Sequence, residues 1–105
     1  MEFFETPKFT ELITKYVDDE SYALLQDKLC SNPEAGDKIP GTHGLRKIRW
    51  AASGHGKRGG ARIIYFYKTE HDQIYMLYVY PKNVQSNLTK AQRKILELLV
   101  KEEWP

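Results

Sequence analysis

The sequence predicts an α+β fold, a small antiparallel sheet flanked by helices, with the element order β-α-α-β-β-β-α. Three observations carry this expectation: apolar residues recur at helical spacing through the first third, the period turns two-fold between residues 45 and 80, and a helix-start signal follows at Thr89. The 105 residues, 41% hydrophobic and 12% aromatic, supply one modest core, so a single domain over residues 1–105 is expected.

Phe3-Phe4 is a short strand candidate. Thr6 is then placed to cap a helix whose first turn holds Pro7, where a missing N–H costs little. Phe9, Leu12, Ile13, Tyr16 and Val17 fall at i, i+3, i+4, i+7 and i+8, one apolar stripe. The Asp18-Asp19 pair suits the start of a second helix, which carries Tyr22, Leu25 and Leu29 until Asn32-Pro33 stops it. Gly, Pro and Asp punctuate a loop from Asn32 to Gly44. Leu45 to Ala51, Ala61 to Lys68 and Gln73 to Tyr80 follow as strands, the last two apolar on both alternations and therefore central. Their short spacers favour antiparallel hairpins, since a parallel pair needs a crossover of about a dozen residues. Thr89 and Gln92 form a capping box for a last helix, with Ala91, Ile95, Leu96, Leu99 and Val100 available to the core.

Composition excludes several classes of protein. Charged residues make up 29% but the balance is only +2, so the signature of a disordered chain is absent. No apolar run approaches a bilayer span, and Glu2 and Glu5 stand where a secretory signal would carry cations, so a cytoplasmic protein is expected. Cys30 is the single cysteine and the three histidines, 43, 55 and 71, are scattered, so neither an internal disulfide nor a zinc site is expected. No cofactor is implied.

The small net charge hides an asymmetry. Residues 1 to 37 carry three Lys against nine acids, residues 38 to 68 carry eight Lys or Arg and no acid, and the remainder carries five of each. Eight like charges without an intervening acid favour a polyanion site over a merely solvated face. Within this segment Lys47 and Arg49 share one strand face, while Arg46, Ile48 and Trp50 share the other. An outer strand defended by charge is the plainer reading, and it is compatible with a surface that tracks phosphates. The loop Gly54-His55-Gly56-Lys57-Arg58-Gly59-Gly60 sets two cations and an imidazole among four glycines, which lets backbone N–H groups approach an anion. It is not a P-loop, because GxxxxGK[ST] is unmatched and a strand follows instead of a helix. Arg62 opens that strand on the alternation of Ile64 and Phe66, where a packed neighbourhood would hold its charge rigidly. Lys82 closes the last strand and can reach the same end of the sheet. The tyrosines at 65, 67, 75, 78 and 80 offer stacking or a phenol, though central-strand aromatics are usually core.

The runs GLRKIR at 44–49, GKRGGARIIYFY at 56–67, IYMLYVYPKN at 74–83 and LTKAQRK at 88–94 resemble the RelE-like toxin superfamily, most closely its HigB branch. The resemblance covers nearly the whole chain. It implies a compact sheet flanked by helices, and a ribosome-dependent endoribonuclease that cuts mRNA in the ribosomal A site. It also implies neutralisation by a cognate antitoxin, often of the helix-turn-helix type, and contacts with mRNA and ribosomal RNA but not with a membrane. Position by position, the family's catalytic arginine falls on Arg62, its loop cations on Lys57 and Arg58, and the basic residue closing its last strand on Lys82; Arg46, Lys47 and Arg49 match the RNA-gripping strand, with Lys38 and His55 beside them. On this reading Arg62 clamps the transition-state phosphate, Lys57 takes the ribose proton, and Lys82 or His55 returns one to the leaving oxygen. Some relatives place Tyr or His near the C-terminus; here the chain ends Lys101-Glu102-Glu103-Trp104-Pro105, with no equivalent. Two rivals follow from the same residues, a gyrase poison of the related ParE type and an RNA-binding module without catalysis.

Overall fold

A computed structural model describes residues 1–50 and 60–103. The elements are β1 (Glu2–Glu5), α1 (Pro7–Tyr16), α2 (Asp19–Ser31), β2 (Asp37–Lys38), β3 (Leu45–Trp50), β4 (Ala61–Lys68), β5 (Gln73–Pro81) and α3 (Lys90–Glu103), with a 3-10 turn at Thr69–His71. Local signals set the helix starts where expected. Thr6 accepts from Phe9 N–H at 3.0 Å and Asp18 from Ser21 N–H at 2.7 Å. The reciprocal pair at α3 runs from Thr89 N–H to Gln92 Oε1 at 3.0 Å and from Gln92 N–H to Thr89 Oγ1 at 3.1 Å. Each supplies a partner to a backbone donor that the first helical turn leaves open.

The strands lie in the order β1-β5-β4-β3-β2. Two features correct the expected antiparallel sheet of four strands. The sheet is mixed, because β1 runs parallel to β5, with Phe3 opposite Ile74 and Phe4 opposite Tyr75. The crossover that parallel pairing requires is present, since everything between residues 5 and 73 separates the two strands. Thr6 fastens this edge, its N–H donating to Met76 O at 3.0 Å and its hydroxyl to Leu77 O at 2.8 Å. The second feature is β2, two residues inside the expected loop, paired antiparallel to β3 with Asp37 opposite Lys47 and Lys38 opposite Arg46. The β4–β5 hairpin turns through Asp72, a non-glycine residue at φ 52°.

Both sheet faces are covered. Helices α1 and α2 bury Phe9, Ile13, Leu25 and Leu29 against Ile48, Ile63, Tyr65 and Met76. Helix α3 buries Leu96 and Val100 against Ile64, Tyr75, Leu77 and Tyr80. Of the α3 residues offered to the core, Ala91 and Ile95 remain exposed. None of the described helices is long and apolar enough to cross a membrane.

Candidate functional site

Alternation along β3 and β4 decides which cations meet. On the α3 face, Arg49 stands opposite Arg62 and Arg62 opposite Tyr80, which makes one cross-strand row; Asp37, Lys47 and Ile64 make the next. Directly opposed arginines repel, so neither strand gains stability from that pairing. The arrangement suits an anion that bridges them. Lys82 joins from the end of β5, where its N–H donates to Gly60 O at 3.3 Å and holds the strand end beside the start of β4.

These side chains surround a cavity of about 360 Å³ lined by Asp37, Lys47, Arg49, Arg62, Lys82, Ser86 and Asn87. A neighbouring cavity of about 470 Å³ shares Asp37, Lys47 and Asn87 and extends to Lys38, Pro40, Tyr80 and Arg93. The Lys47 ammonium donates to Asn87 Oδ1 at 3.1 Å where the two meet. Arg62 is 5% exposed, the one buried charged residue among those described. Burial chiefly, and then the Arg49 charge, lowers its pKa from the ordinary arginine value, yet a guanidinium stays protonated in proteins. Burial also raises the Tyr80 phenol pKa, against an opposing pull from Arg62. Its hydroxyl is buried and has no hydrogen-bond partner among the described residues.

Of the site residues expected from the sequence, Lys47, Arg49, Arg62 and Lys82 line one cavity, and Lys38 lines its neighbour. His55, Lys57 and Arg58 lie outside the described residues. Arg46 does not join the cluster. It points to the α1–α2 side, donates to Gly36 O at 2.7 Å and Glu34 O at 3.3 Å, and pairs with the Glu34 carboxylate at 3.7 Å. It therefore braces the segment leading into β2, apart from the cations that line the cavity. Arg46→Ala should cost about 1–2 kcal/mol in urea unfolding; an unchanged unfolding midpoint would show that these bonds do not hold the segment.

Asp37, Ser86, Asn87 and Tyr80 also line the cavities, and sequence reasoning did not place them there. Tyr80 was visible only as one of five strand tyrosines. Asp37 and Asn87 sit in stretches whose composition reads as loop.

Comparison with known proteins adds an independent line. Residues 34–103 match the family described as the RelE toxin of the RelE/RelB toxin–antitoxin system. A free-state mutant of the E. coli toxin RelE superposes with a TM-score of 0.62 at 13% identity, covering 90% of this chain and 95% of that one. The intact E. coli RelBE toxin–antitoxin complex gives a TM-score of 0.56 at 17% identity, covering 76% and 94%. At such identities the superpositions show a shared fold.

Proposed function

The chain belongs to the RelE toxin family, and on that premise we propose that it is a ribosome-dependent endoribonuclease that cuts mRNA in the ribosomal A site. The observation that carries this reading is the cavity in which buried Arg62 stands among Lys47, Arg49 and Lys82. Cleavage by the ribose 2′-OH requires positive charge at the phosphoryl oxygens and a proton for the departing 5′ oxygen. Arg62 supplies a rigid planar fork of donors for the phosphate, fixed by the strand that carries it. Lys47 and Arg49 hold flanking phosphates, and Lys82 donates the proton. Side chains provide the charge in this scheme, so no metal ion enters it. The toxin's cognate partner is an antitoxin, proposed to be of the helix-turn-helix type that accompanies the HigB branch.

Mapping 5′ ends on a translated message by primer extension tests the reading. Cuts confined to codons in the A site are expected; an intact message together with inhibited DNA supercoiling would replace the endoribonuclease with a gyrase poison. Lys47→Ala and Arg49→Ala should each weaken ribosome binding and reduce the slope of log affinity against log salt by about 0.7 to 0.9. Cosedimentation with ribosomes at graded salt measures this, and an unaltered slope would place the message elsewhere.

A further inference from the structure

Attack by a 2′-OH also needs a proton acceptor, and the cationic cavity contains one by chemistry. Asp37 is the single carboxylate among the described residues that line it. Cross-strand register puts Asp37 on the face of Lys47 and, through β3 and β4, on that of Arg62. Its opposite number, Lys47, donates to Asn87 instead, and the Asp37 carboxylate enters none of the ion pairs among the described residues. It is exposed and thus accessible to a ligand.

The backbone that carries Asp37 is nonetheless firmly held. The preceding residue, Gly36, donates its N–H to the Tyr65 hydroxyl at 2.8 Å and accepts from Arg46 at 2.7 Å. A side chain held only at its backbone, facing four cations without pairing to the nearest one, is a poor structural ion pair. As a base it is well placed, because a phosphate drawn in by the cations arrives beside it.

We propose that Asp37 is the general base of the cleavage reaction, an inference that rests on the endoribonuclease reading above. In the step, the 2′-OH proton passes to the Asp37 carboxylate while O2′ forms a bond to phosphorus. The P–O5′ bond breaks, its electron pair goes to O5′, and the Lys82 ammonium protonates that oxygen. One proton has been gained at Asp37 and one lost at Lys82, and the products are a 2′,3′-cyclic phosphate and a 5′-OH. Solvent exchange returns both groups to their starting states.

Asp37→Asn keeps the size of the side chain and removes the proton acceptor. On translating ribosomes at saturating toxin, its cleavage rate should fall by about a hundredfold or more. Its binding to ribosomes loaded with a 2′-O-methyl message should be unchanged or tighter, because a negative charge beside the message phosphates has gone. A base predicts a lost rate with binding kept, whereas a merely structural residue would lower both together. Comparable cleavage by Asp37→Asn and a cutting wild type would overturn the assignment, as would a joint loss of rate and binding. A wild type that leaves the message whole would instead overturn the endoribonuclease reading, and the role of Asp37 with it. Should Asp37→Asn fail to fold, Asp37→Ser reads the same two quantities.

Discussion

Arg62→Ala should cut a translated message about a hundredfold or more slowly than the wild type while folding at least as stably as most buried truncations allow. Arg62 is nearly sealed from solvent at 5% exposure and lies directly opposite Arg49. Removing it relieves a like-charge cross-strand contact, which offsets part of the packing lost. The rate should therefore suffer far more than stability. Arg62→Lys is the informative companion: it keeps a positive charge but loses the planar fork, so its rate should fall between the two. Single-turnover cleavage on ribosomes, with urea unfolding on the same preparations, measures both quantities. Wild-type cleavage by a folded Arg62→Ala protein would remove Arg62 from the site.

Tyr65→Phe should behave in the opposite way, losing stability first and cleavage as a consequence. The Tyr65 ring is fully buried, and its hydroxyl donates to Pro33 O at 2.7 Å while accepting from Gly36 N–H at 2.8 Å. The phenol thereby ties the α2–β2 connection to the central strand. Deleting one oxygen leaves a buried donor and a partly buried acceptor unpaired, at a cost of about 2 kcal/mol. The backbone approaches the ring closely, for a Cβ on Gly36 would lie 2.8 Å from Tyr65 Cε1 and 3.0 Å from Lys47 O. Because Asp37 follows Gly36 directly, the loosened segment should also slow cleavage. Urea unfolding compared with single-turnover rates tests the coupling, and a Tyr65→Phe protein with unchanged stability would break it.

The parts of this architecture that depend on neighbouring residues were legible in the sequence. Thr6, Asp18 and the Thr89–Gln92 pair start their helices by side-chain bonds spanning three residues. The strand alternation also separates Arg46 from Lys47 and Arg49, and the structure keeps them on opposite faces of β3. What the sequence concealed is settled by pairing between distant segments. The parallel β1–β5 edge joins residue 3 to residue 74, and β2 pairs Asp37 with Lys47 and Lys38 with Arg46 across a turn rich in breakers. Lys47, Arg49, Arg62 and Lys82 could be nominated as cations from composition and resemblance, but Asp37 joins them through register alone. In the sequence it is simply the last acid before the basic stretch.

The most direct test is the structure of the toxin on a ribosome whose A-site message carries a 2′-O-methyl group at the cut position. The scissile phosphate should lie within hydrogen-bond reach of Arg62, with Asp37 facing the blocked 2′ oxygen. A message laid instead against α1 and α2, or a phosphate held by none of Lys47, Arg49, Arg62 and Lys82, would contradict the account.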